Sequence, residues 1–234
     1  MGVEGLYRAH PWHGVPVWFE EEVVVNCYVE ITPTDTVKYE VDKESGLLKI
    51  DRPQKYSTFC PALYGFIPQT YSGRHSADHC QQKVAQNMRV VGDGDPLDIC
   101  VITEKVVTTG NILVRAVPIG GFRMLDGDEA DDKIIAVLRD DLAYGRFKDV
   151  SECPANLVDR LLHYFITYKG APGLPVSERV QIVATYGHEE AYEVIKNGCM
   201  DYEEEYGDYL ALYKEASALH KKRQKSGNAN LKDQ

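Results

Sequence analysis

Three aspartates fall within the six residues DGDPLD: Asp93, Asp95 and Asp98. Carboxylates this close repel one another unless cations share their charge. Oxygen-only donors suit Mg²⁺, which keeps several waters and joins a few carboxylates to the oxygens of a substrate phosphate. Pro96 biases Asp95 toward an extended backbone and so helps to fix its direction. An Asp-Gly turn is by itself an ordinary solvated feature, and so is a charge run; what counts here is that there are two. DGDEADDK brings Asp126, Asp128, Glu129, Asp131, Asp132 and Lys133 directly ahead of the apolar run IIAVL. An EF-hand is disfavoured: in DGDPLDICVITE, Glu104 does occupy the twelfth position, but Leu97 replaces an oxygen ligand and Asp98 the required glycine. Lys38, Arg52, Lys133 and Lys169 supply cations able to neutralise phosphate oxygens while a water attacks. The chemistry that fits is metal-assisted hydrolysis of a phosphate compound. No GxxxxGK[ST] loop points to a nucleotide.

Positioning such groups requires rigid elements, and the sequence supplies mainly strands. From Val23 to Ile31, Val23, Val25, Cys27, Val29 and Ile31 alternate with Asn26, Tyr28 and Glu30, the pattern of a half-buried strand. TVKYEV puts Val37, Tyr39 and Val41 on one face and Lys38 and Glu40 on the other, so Glu30, Lys38 and Glu40 are expected to converge from neighbouring strands. LLKID should end near Pro53, since proline cannot donate to a ladder, and this leaves Arg52 at the strand's end. Further strands are expected at Leu97–Ile102, Asn111–Ile119, Lys133–Leu138 and Arg179–Thr185. Helical spacing of Leu157, Leu161, Tyr164, Phe165 and Tyr168 predicts a helix from Pro154 to about Tyr168, and a longer helix follows Gly187. Short strands separated by glycine turns predict a mainly β fold with flanking helices (α+β), built on a small barrel. SGRHSADHCQQKVAQNMRVVG, residues 72–92, is polar without clear periodicity and reads as an inserted surface excursion.

The chain is 234 residues with 44% hydrophobic content, enough for one sizeable core. A single domain is expected over residues 1–220, with a flexible tail at 221–234. The net charge of −10 argues against nucleic acid, whose binding depends on neutralising backbone phosphates. A small anion remains compatible if cations intervene. No stretch approaches the roughly 18 apolar residues of a membrane span, so no membrane partner is expected. The six cysteines form no CxxC pair, and MGVEGLYRAH lacks the pattern of a secretory signal, so a reduced, cytoplasmic setting is expected. His75, His79 and Cys80 form an incomplete zinc set of indistinct spacing and are read as structural. His10 and His13 flank Trp12 in an aromatic segment expected to pack on the barrel.

The chain resembles the family I soluble inorganic pyrophosphatases. The resemblance rests on DGDPLD, a match to a D-x-D-P-x-D signature, and on motifs in order around it: the Glu30 strand, VKYEVDKESG, IDRP around Arg52, LYGFIP, EADDKIIAV and the Tyr168-Lys169 pair. It implies a five-stranded, OB-like β-barrel with the active site at its open end. It implies that Asp93, Asp98, Asp126 and Asp131 bind activating metals, while Glu30 and Glu40 help to hold metal that arrives with the substrate, magnesium pyrophosphate. Several Mg²⁺ ions per site are implied, with Mn²⁺ or other divalent cations as substitutes. Asp95 would be the general base for the attacking water. Lys38, Arg52, Lys133, Tyr168 and Lys169 match phosphate-contacting positions, and Tyr64 matches a tyrosine that supports the carboxylates. The family usually assembles as homo-oligomers. Two departures stand out: Cys60 occupies a position where the family often has tyrosine, and compact bacterial members have a short connection in place of residues 72–92.

Overall fold

A computed structural model describes residues 9–20, 23–84, 89–170 and 180–230. Along them run the strands β1 (Trp18–Glu20), β2 (Val24–Ile31), β3 (Val37–Val41), β4 (Leu48–Pro53) and β5 (Leu63–Phe66), the helix α1 (Arg74–Lys83), and the strands β6 (Val91–Gly92), β7 (Asp98–Ile102), β8 (Ile112–Asp126), β9 (Glu129–Ala130) and β10 (Lys133–Leu138). The helix α2 (Ala155–Thr167), strand β11 (Val180–Gly187) and helix α3 (His188–Asn230) complete the order.

Five strands close on themselves. β2 pairs antiparallel with β5 and β5 with β7; β7 lies parallel to β10; β10 pairs antiparallel with β8, which returns to β2. This is the expected five-stranded barrel. β8 makes closure possible because its 15 residues serve four partners: Ile112–Ala116 pair with β2, Ala116–Phe122 with β10, Gly120–Asp126 with β11, and Leu125–Asp126 with β9. Pro118 falls where the β10 register slips between Ile135 and Ala136, the kind of irregularity at which a missing ladder donor is tolerated. At the β2–β5 crossing, a Cβ on Gly65 would lie 1.8 Å from the Tyr28 carbonyl oxygen. Only glycine permits that approach.

Strand alternation sorts most of the barrel's buried side chains into two of the core's four clusters. Val25, Cys27, Val29, Ile99, Val101, Ile134 and Ala136 gather with Val194 and Ile195 of α3, while Tyr64, Cys100, Ile102, Ile135 and Val137 pack with Leu161, Tyr164 and Phe165 of α2. β2 differs from expectation in being buried along its whole length rather than on one face. Its polar face is covered: Asn26 Nδ2 donates to the Pro16 carbonyl oxygen at 2.9 Å, Tyr28 packs on Phe66, and Glu30 lies behind β3.

Residues 72–92 are more than a surface excursion. They contain α1, which buries Ala77 and Cys80 beside Val90, Leu125 and Ala130, and β6, which pairs with β9. The start of α1 is capped from α3: Asp201 accepts from the backbone N–H groups of Gly73 (3.0 Å), His75 (2.7 Å) and Ser76 (2.8 Å). A cap so distant in sequence leaves no local signal. α3 continues through Asn230, so residues 221–230 of the expected tail lie in that helix. Ala, Lys, Arg and Gln, which dominate 218–225, are all strong helix formers.

The N-terminal segment packs as expected. Trp12 is buried, its indole N–H donates to the Thr70 carbonyl oxygen at 2.9 Å, and His13 stacks on it while pairing with the Tyr202 hydroxyl at 2.6 Å. Burial, reinforced by neighbouring His10, pulls the His13 imidazole down from 6.5 to about 4. Between those values the unfolded chain binds a proton that the folded chain refuses, so stability falls as pH drops through this window. Urea midpoints should decline from pH 6.5 to about 4, and less steeply in His13→Gln. Equal slopes for the two proteins would remove His13 as a cause.

Candidate active site

The β3–β4 hairpin, which forms a separate two-stranded sheet, brings Lys38 and Arg52 to a cleft whose other walls come from barrel strands and the end of α2. The resulting cleft has a volume of about 230 Å³ and is lined by Lys38, Arg52, Tyr64, Asp93, Asp95, Asp98, Asp126, Asp131, Lys133, Tyr168 and Lys169. An adjoining cavity of about 120 Å³ adds Glu30 and Glu40 and shares Lys38, Tyr64, Asp95 and Asp98. Every residue expected to hold metal, contact phosphate or act as base therefore lines one of these two spaces.

Each group has a structural reason to be there. Gly94 adopts φ +75°, a conformation that glycine takes freely, and the turn lets the Asp95 N–H donate to Asp93 Oδ1 at 2.9 Å. Asp98 opens β7 opposite Lys133 at the start of the parallel strand β10. Tyr64 on β5 donates its hydroxyl to Asp98 Oδ2 at 2.6 Å. Lys133 is 2% exposed, and its ammonium bonds both Asp98 and Asp131. Burial alone would lower its pKa, but the two carboxylates override it and hold the lysine protonated, well above its ordinary range. The ammonium of Lys169, just past the end of α2, bonds Asp126 at the end of β8. Tyr168 stacks on Tyr164 at 5.3 Å between ring centroids, so it serves the core as well as the cleft.

On the hairpin, Lys38 contacts Asp51 at 3.1 Å and Glu40 at 3.5 Å, and Arg52 contacts Asp51 at 2.6 Å. Glu30 is 7% exposed and accepts from the Val41 N–H at 2.7 Å. Burial raises its carboxyl to about 8, that backbone bond opposing. Asp93 is also raised to about 8, first by burial and then by Asp131, with Lys133 opposing. Asp131 shifts upward for the same first reason.

The balance of charge decides what this cleft can bind. Six carboxylates (Asp93, Asp95, Asp98, Asp126, Glu129, Asp131) face four cationic side chains (Lys38, Arg52, Lys133, Lys169). With all six ionised, a phosphate anion meets net repulsion unless further cations enter. Every acidic donor is a hard oxygen, and two of the carboxyls are pushed toward protonation by burial, so the residues fit divalent cations whose binding would displace protons.

Residues 27–203 match the protein-family model described as inorganic pyrophosphatase. The chain belongs to the inorganic pyrophosphatase family. An inorganic pyrophosphatase of Chlamydia trachomatis is 54% identical over 206 residues, covering 86% of this chain and 98% of the relative. Soluble inorganic pyrophosphatase 4 of Arabidopsis thaliana is 37% identical over 202 residues, covering 86% and 81%. The crystal structure of the Thermus thermophilus inorganic pyrophosphatase superposes with a TM-score of 0.67 at 25% identity, covering 82% of this chain and 99% of that one.

Within this family member, the second acidic run divides. Asp131 enters the cleft, whereas its neighbour Asp132 is buried on the other side, where it accepts from Arg123 and from the Tyr186 hydroxyl, both at 3.2 Å. Arg123 also reaches Glu190 of α3 at 3.0 Å. Cys60 does not line the cleft; it is buried and its thiol meets that of Cys100. His75 pairs with Glu204, which Arg74 also contacts at 2.9 Å. His79 and Cys80 of the incomplete zinc set lie on α1 away from that pair, near Glu190 and Asp132. Sequence reading missed Asp51 and Lys43, and counted Glu129 only as a member of the second acidic run. Lys43 stands within the quoted motif VKYEVDKESG but carries no signal of its own.

Proposed function

We propose that this inorganic pyrophosphatase, which hydrolyses pyrophosphate to two phosphates, works with Mg²⁺ held by Asp93, Asp98, Asp126 and Asp131, and by Glu30 and Glu40 where metal accompanies the substrate. The observation that supports this reading is the excess of carboxylates over cations in a cleft sized for a small anion. Bound cations would neutralise the phosphates and acidify a water. Asp95 then accepts the water's proton on its carboxylate, its direction set by the Gly94 turn and Pro96. Lys38, Arg52, Lys133 and Lys169 take up charge on the departing phosphate, and the Arg52 guanidinium can grip two oxygens at once. Tyr168 adds a hydroxyl contact. Tyr64 holds Asp98 in place, so its own part is positional. Mn²⁺ is expected to substitute for Mg²⁺, and a cytoplasmic homo-oligomer is the assembly we infer from family habit and cysteine usage.

Hydrolysis of other phosphate compounds is the competing reading for these groups. Phosphate release from pyrophosphate, ATP and a phosphate monoester, each with Mg²⁺, separates the two. Pyrophosphate should be strongly preferred. Comparable rates on all three would sink the assignment of specificity.

A further inference from the structure

Lys43 belongs to the turn joining β3 to β4, and its ammonium bonds Asp95 Oδ1 across the cleft mouth. Among the described residues this is the side-chain partner of the Asp95 carboxylate. The other cleft ammonium groups are held more deeply: the Lys133 side chain is 2% exposed and Lys169 32%, against 42% for Lys43. Lys43 is also carried by a sheet that shares no strand pairing with the barrel. A cation on such an arm, in contact with water, can leave its partner at small cost, because exposed ion pairs hold by only about 0.2–1 kcal/mol.

We propose that Lys43 is a tethered counter-ion for Asp95, which occupies the carboxylate while the cleft is unloaded, withdraws when divalent cations enter, and thereby sets the cation concentration at which the enzyme becomes active. The proposal rests on the placing of metals and base given above. Its physical basis is competition: an ammonium bonded to Asp95 raises the local potential beside Asp93 and Asp98, the carboxylates that would hold a divalent ion. Lys43 is a positioning residue in this scheme, since it acts on the base and leaves the reacting atoms alone.

The test uses the full-length enzyme, first without substrate. Isothermal titration with MgCl₂ should show Lys43→Gln binding Mg²⁺ about two- to fivefold more tightly than wild type, the range expected for loss of an exposed pair. Lys43→Arg, which keeps the charge, should stay close to wild type. The gain should shrink as KCl rises toward about 0.5 M, because screening weakens the competing charge. Lys49→Gln provides the control: Lys49 lies on the same hairpin but pairs with Asp42 at 3.7 Å, outside the cleft, and its loss should leave Mg²⁺ binding nearly unchanged. In steady state, the Mg²⁺ concentration for half-maximal rate should fall in Lys43→Gln by the same factor. Unchanged or weaker Mg²⁺ binding in Lys43→Gln would overturn the proposal, and a raised KM for pyrophosphate with unchanged Mg²⁺ binding would make Lys43 a substrate contact instead. A tightening matched by Lys49→Gln would reduce it to general surface charge. Failure of the wild type to release phosphate from pyrophosphate would instead strike the functional reading itself.

Discussion

Asp95→Asn is expected to fold, to bind divalent cations, and to hydrolyse pyrophosphate about 10²- to 10⁴-fold more slowly at neutral pH. Asparagine keeps the shape of the side chain and the extended backbone ahead of Pro96 but cannot accept a proton from water. The fold should survive because the Asp95 side chain is half exposed and its partner Lys43 lies at the surface. Asp98→Asn should fail differently. Asp98 is held by Lys133 and by the Tyr64 hydroxyl, and as a metal ligand its loss should raise the Mg²⁺ concentration needed for half-maximal rate, with excess metal restoring part of the turnover. Magnesium titrations of both variants decide the matter. Full recovery of Asp95→Asn by metal, with no response from Asp98→Asn, would reverse the two roles and require another base.

Removal of divalent cations should have a still larger effect, taking turnover to the buffer background. Six carboxylates face four cationic groups across the cleft, so an unmetallated site repels the anion it must bind and has nothing to acidify the water. Re-addition of Mg²⁺ should restore both activity and stability. At about 100 times its dissociation constant a ligand adds about 2.7 kcal/mol, which for a domain of this size corresponds to a rise in Tm of roughly 5–10 °C. Scanning calorimetry with EDTA and then with excess MgCl₂ measures this directly. Undiminished turnover after exhaustive chelation, or a Tm indifferent to Mg²⁺, would contradict the reading of these carboxylates as metal ligands.

Much of this site was legible because its chemistry is carried by residue type. Asp93, Asp95, Asp98, Asp126 and Asp131 cannot sit together without cations, and that follows from charge before any fold is known. The strands of β2, β3, β7 and β10 were legible through alternation or apolar runs. What could not be read depended on distant partners. β5 is four residues in a glycine-containing stretch, and it exists because β2 and β7 flank it. α1 has no cap of its own and borrows Asp201. Asp131 and Asp132 looked alike as members of one acidic run, yet adjacent positions at a strand entrance point to opposite sides, one into the cleft and the other onto Arg123. Lys43 looked like any turn lysine, since its value depends on where the hairpin lies in space.

The borrowed cap also bears on how the chain is made. Every residue assigned to the cleft lies between Glu30 and Lys169, so all of them leave the ribosome before Asp201 does. Until then α1 has three backbone N–H groups at its start without their acceptor, although the barrel strands already exist. The nascent protein thus passes through a stage in which every cleft residue has been synthesised while the acceptor that caps α1 has not. A chain that stops short of Asp201 would lack the acceptor for the three N–H groups that open α1.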